Sequence, residues 1–228
     1  MSRTLAVARI HAMDHANVFV LPWVILVSSF VINVIVWLLL PEAAASGSGG
    51  ILSLYGFAVA MISVLVSRGF PFQVGFGVTR RDFLKGTVLL MALYSLGSAL
   101  ILTVLNLLEG ATGGFGLGGR FFRAPWFTDV PAGQLVLIYA LPMLFVLAFG
   151  MLCSAIWSRY RTTGMVVLTI ASALAVVLMI ALVTWRESWP SVGSWFATLQ
   201  PLTTVLVLGA LGVVAIGASW LTLRRAPV

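Results

Sequence analysis

Phe70-Pro-Phe-Gln-Val-Gly-Phe-Gly-Val-Thr-Arg-Arg-Asp-Phe-Leu-Lys-Gly86 carries the densest charge in an otherwise lipid-like chain. Four of the 13 Lys and Arg residues lie between Arg68 and Lys85, pressed between two long apolar runs. Charge so placed reads as a loop at a membrane surface, turned toward a charged or polar partner. Around it, the 228 residues are 61% hydrophobic and 8% charged. With a mean hydropathy of +1.12, this is too apolar for a soluble domain of any class. The reading is an all-α integral membrane protein, in one transmembrane domain over residues 1–228.

Outward from the loop, six apolar runs are long enough to cross a bilayer: about 18–40, 51–67, 87–108, 134–157, 163–185 and 202–223. The second is the shortest. Pro22 is tolerated near the start of the first run, Pro41 ends it, and Pro142 can kink the fourth. Phe70-Pro71 is expected to form a short extended entry or a new helix start. Thr79, followed three residues later by Asp82, forms a capping box for the helix that becomes the third span. Gly209, Gly212 and Gly217 offer a face for close helix contact in the last span.

Between the runs, residues 1–17 carry Arg3 and Arg9 among spaced apolar side chains, the pattern of an interfacial helix; a disordered tail is the plain alternative. No cleavable signal peptide is expected, because the first apolar run continues for a full span. The Glu109–Gly133 segment is rich in glycine and then in aromatic rings. Its aromatic half suits the outer interface, with a gate over a pore exit as the functional alternative. The Trp-rich segment from Ser188 to Gln200 fits a re-entrant or interfacial half-helix. Ten basic residues fall on one side of six spans, against Arg120, Arg123 and Arg186 on the other. The 70–86 loop and both termini are therefore assigned to the cytoplasm, and the chain to the cytoplasmic membrane.

The motifs that would signal chemistry are missing. The glycines at 114–119 lack both a preceding strand and the Gly-Lys-Ser/Thr of a nucleotide-binding loop. His11 and His15 have no third ligand nearby, and Cys153 is single, so no metal site is expected. None of the six runs contains Asp, Glu, Lys, Arg or His, which disfavours an ion-coupled carrier and an intramembrane protease alike. The net charge of +7 follows membrane topology rather than a nucleic-acid surface. Asn33, mid-span, should seek a partner on another helix, as bundle glue or as part of a translocation wall. A transport subunit driven by an external motor remains, or a non-transporting membrane partner such as a sensor subunit.

The run Gly75-Phe-Gly-Val-Thr-Arg-Arg-Asp-Phe-Leu-Lys-Gly86, after Phe-Pro-Phe and before an apolar span, resembles the cytoplasmic loop of ABC type-2 transporter permeases. The layout is similar as well: an interfacial N-terminal helix, six spans and a re-entrant segment before the last. The resemblance implies an exporter permease without a catalytic site or bound cofactor of its own. It would pair with a second permease copy and with a separate ATPase subunit that holds ATP and Mg. The family's coupling helix would fall on Phe70, Pro71, Phe72, Gln73, Gly75, Phe76 and Gly77, followed by Thr79. Arg80 and Arg81 match its basic pair and Asp82 the acidic partner, with coupling rather than folding as their expected role. The substrate path would run along a dimer interface of the first, second and fifth spans, with Asn33 in its wall.

Overall fold

The computed structural model describes residues 16–40, 47–123 and 130–226, without the side chains of 16, 17, 132, 196 and 197. The interfacial helix expected over residues 1–17, with His11 and His15, lies outside these residues except for its last two positions. Among the described residues every long regular element is a helix and no strand occurs. In order come α1 (Leu21–Leu39), α2 (Leu52–Gly75), α3 (Arg80–Ala111), α4 (Ala132–Trp185), α5 (Trp189–Thr198) and α6 (Pro201–Leu223). Among the described residues, five helices are long and apolar enough to cross a membrane: Val18–Leu39, Leu52–Gly75, Arg80–Ala111, Gly133–Trp185 and Pro201–Leu223.

α2 is longer than its apolar run, and Pro71 lies inside it rather than at an extended entry. The reason lies in the buried stripe Leu54, Ala58, Ile62, Val66, Phe70 and Gln73, whose helical spacing runs straight past the proline. A proline within a helix costs about 3 kcal/mol. Burial of Phe70, 1% exposed and edge-on to Phe83 at 5.4 Å, offsets that cost. The stretch expected as a coupling helix is thus the last six residues of α2, with Phe76 and Gly77 in the turn that follows. On the far side of the turn, α3 starts at Arg80 and runs 32 residues. Thr79 caps it, accepting from the Asp82 backbone N–H at 3.1 Å, as the capping-box spacing requires.

α4 is the hub, since α2, α3 and α6 all pack on it. Its 54 residues would span about 80 Å if straight, but Arg161 interrupts the helix with φ 53° and ψ −144°. All the buried apolar side chains of α4, from Leu135 to Ala155, lie before that break. After it no residue through Trp185 is buried. Cys153 sits half-buried and free in the first half.

Small residues let the helices approach, as lipid-embedded packing requires where no water drives apolar faces together. A Cβ on Gly150 would stand 2.5 Å from the Ile62 side chain and 2.8 Å from the Val59 carbonyl. Hydroxyls stitch the same contact: Ser63 Oγ donates to the Gly150 carbonyl at 3.2 Å and Ser154 Oγ to the Ser63 carbonyl at 2.9 Å. Across α6, a Cβ on Gly212 would stand 3.3 Å from the Phe145 backbone, and one on Gly209 2.9 Å from Leu141. Two of the three expected glycines therefore make close contact, whereas Gly217 faces open space.

Gly150→Val should overpack the α2–α4 contact and cost about 1–3 kcal/mol. Thermal unfolding in detergent checks this, with Gly217→Ala expected to leave the midpoint where it is.

Candidate coupling surface

The α2–α3 turn is held by its own backbone. Phe76 N–H donates to the Phe72 carbonyl at 3.2 Å, Gly77 to Val74 at 3.0 Å and Val78 to Gln73 at 3.1 Å. Gly77 takes φ 84°, a left-handed conformation in which a side chain is strained. With Thr79 locking the first turn of α3, the loop is a rigid corner.

The corner presents two rings. Phe72 is 60% exposed and Phe76 78% exposed, and their centroids lie 4.8 Å apart. Pro71, Gly75, Gly77 and Thr79 are exposed beside them, as are the charged side chains of Arg68, Arg81 and Lys85. Phe70 and Gln73 point inward instead, and Gln73 Oε1 is buried without a hydrogen-bond partner among the described residues. Asp82 is half-buried, its carboxylate accepting from the Thr79 hydroxyl at 2.7 Å.

The two arginines part company. Arg80 Nη1 donates to the Leu223 carbonyl at 3.2 Å and to the Arg224 carbonyl at 2.8 Å, and its guanidinium lies 6.0 Å from the Phe70 ring centroid. It therefore caps the C-terminal end of α6, where helix carbonyls lack intrahelical donors and the macrodipole favours a cation. Leu223 and Ala226 are buried at this junction. Arg81 projects outward. The basic pair, read from sequence as one unit, is a structural tie followed by a surface charge.

Asn33 does not bridge helices through its amide nitrogen. Nδ2 donates to the Ser29 carbonyl of its own helix at 2.8 Å, and the side chain is half-buried.

At the other end of α3 stands a polar cluster that sequence reasoning passed over. Glu109, 2% exposed, accepts from the backbone N–H groups of Phe121 at 3.1 Å, Phe122 at 2.8 Å and Arg123 at 3.1 Å. Three such donors offset the cost of burying a carboxylate. One turn earlier, Asn106 Nδ2 donates to Tyr139 Oη at 2.8 Å, and Tyr139 Oη donates to the Phe122 carbonyl at 2.8 Å. The glycine-rich loop is thereby fastened to α3 and α4. The available signal was the spacing Leu102, Asn106, Glu109, which continues the buried face of α3 and places the acid inside the helix rather than at a loop start.

Comparison of the chain with protein-family models, curated proteins and solved structures finds no match.

Arg80→Ala should cost about 1 kcal/mol and loosen the end of α6, read as faster proteolytic trimming after Leu223, while Arg81→Ala leaves both unchanged. Glu109→Gln should strand buried N–H donors and lower stability by about 1–3 kcal/mol, measured by thermal unfolding in detergent.

Proposed function

We propose that this chain is the membrane permease of an ATP-driven exporter, of the type-2 ABC class that its 75–86 run resembles. The observation that carries the reading is the exposed Phe72–Phe76 pair on the α2–α3 corner, with Arg68, Arg81 and Lys85 exposed on the two helices that form it. Paired aromatic rings on a stiff support, with basic residues around them, suit a protein docking site. A soluble ATPase with an apolar pocket and an acidic rim is the partner of that description, and it would hold the ATP and Mg.

Around this site the break at Arg161 divides α4 into two crossings, for six in all. Each half of α4, Ala132–Tyr160 and Thr162–Trp185, is then longer than the roughly 20 residues that a crossing needs. Six crossings return both termini to the side of the corner, which the basic residues assign to the cytoplasm. α5 stands where a re-entrant segment would precede the last crossing. The exposed face of α1 and the uncovered second half of α4 face lipid or a second copy of the permease. Asn33, on α1, belongs to the substrate wall of that assembly. Motion would pass from the corner along α2 and α3, since neither is interrupted between the docking site and the membrane.

Replacing Phe72 and Phe76 together by Ser removes two aromatic anchors, each worth about 2 kcal/mol at the centre of an interface. Affinity purification from native membranes in mild detergent should recover an ATPase with wild-type chain and lose it with this variant. Recovery of no ATPase with the wild-type chain, or equal recovery with the variant, refutes the reading and favours a non-transporting membrane partner.

A further inference from the structure

At the break in α4 the backbone adopts a shape that its residue does not favour. Arg161 takes φ 53° and ψ −144°, close to the first central position of a type II′ turn, where glycine is the usual occupant. The chain doubles back there. In an unbroken helix Gly164 would stand about 12 Å along the axis from Ile156. Here a Cβ on Gly164 would lie 3.2 Å from the Ile156 side chain and 2.4 Å from that of Tyr160. Glycine thus serves the close approach at 164, while the strained position itself holds an arginine. Strain of this kind, at a residue other than glycine, points to a use for the side chain.

The tip carries rings and free charge together. Trp157 is 40% exposed and Tyr160 49% exposed, and the Arg159 guanidinium lies 4.7 Å from the Tyr160 ring centroid. Among the described residues, neither the Arg159 nor the Arg161 guanidinium makes a hydrogen bond or an ion pair, so both can take a ligand.

The height of the tip follows from α2. The two helices run side by side in one direction, since Tyr55 Oη donates to the Tyr139 carbonyl at 3.2 Å and Ser154 Oγ to the Ser63 carbonyl at 2.9 Å. Arg68 and Arg159 each follow that second bond by the same number of residues, and so stand at one level. Charge is costly within hydrocarbon, and Trp and Tyr rings gather at headgroup depth, which places this level at the membrane surface. Phe76 lies about 12 Å further along α2. The corner therefore projects beyond the tip into water, and Arg159 and Arg161 are left among the lipid phosphates.

We infer that the α4 tip binds an anionic phospholipid of the leaflet on the corner's side. Arg159 and Arg161 take its phosphate, and its acyl chains lie along Val166, Val167 and Ile170, all exposed at the start of the second half of α4. Guanidinium forks match phosphate oxygens, and basic residues at this depth draw anionic lipid. The inference needs the fold-back at Arg161 but not the export reading.

The test uses the full-length chain in neutral detergent, with phosphatidylglycerol, phosphatidylcholine and inorganic phosphate as separate probes. Native mass spectrometry and thermal unfolding should show phosphatidylglycerol retained and stabilising, and the other two far weaker. Arg161→Gly relieves the backbone, so without lipid it should unfold no lower than wild type, while binding phosphatidylglycerol about fivefold more weakly. Arg159→Gln leaves the break untouched and should lose a similar factor. Arg186→Gln, exposed at the other end of the second half of α4, should lose none. Undiminished phosphatidylglycerol binding by both tip variants overturns the inference. Equal retention of phosphatidylcholine removes the charge from the recognition, and stabilisation by inorganic phosphate alone removes the lipid; either result also overturns it. Tip variants that bind lipid as wild type does, but no longer retain an ATPase on purification from native membranes, assign the arginines to protein docking instead.

Discussion

The close approach of α2 to the first half of α4 at Gly150 is the contact on which the remaining packing depends. Inside a bilayer, an apolar face gains nothing from leaving water, so helices must be held by contact area and by internal hydrogen bonds. A residue without a side chain at Gly150 brings the two backbones near enough for Ser63 and Ser154 to bond across the gap. α6 uses the same device from another side of α4 through Gly209 and Gly212. The second half of α4 has no such contact buried within the chain, which leaves a long apolar helix to be covered by lipid or another protein.

Charge is used at the two ends of this packed unit, and differently at each. At the corner, Arg80 spends its donors on helix carbonyls and leaves Arg81, Lys85 and the Phe72–Phe76 pair facing outward. A stiff loop that displays aromatic rings would lose little entropy on meeting a partner. At the far end, Glu109 turns three backbone N–H groups of a glycine-rich segment into a fixed wall. Both ends follow one rule: a charge bonded to backbone fixes the segment it bonds.

The membrane helices were legible because length and unbroken hydropathy measure themselves against bilayer thickness, without reference to neighbours. The Thr79–Asp82 cap was legible for a similar reason, being settled within four residues. Pro71 was not. Its local preference for an extended entry yields to the burial of Phe70 and Gln73 on either side, which depends on α3 lying alongside. Asn33 illustrates the reverse case, since an amide expected to reach across helices finds a carbonyl on its own turn. The equivalence of Arg80 and Arg81 dissolved because only one of two adjacent helical residues can face the C-terminal end of α6.

By itself, the sequence determined that this chain is a helical membrane protein, where its charges gather, and where its helices begin to be capped. Those properties depend on composition and on residues a few positions apart. Only the tertiary structure decided that Glu109 is a buried anchor rather than the first residue of a loop, and that Arg80 belongs to the end of α6, 143 residues away along the chain. It alone decided that a glycine run, Glu109 and two arginines line one cleft. The physical reason is the same in each case: a polar group withdrawn from water takes whichever partner the fold brings within hydrogen-bond reach.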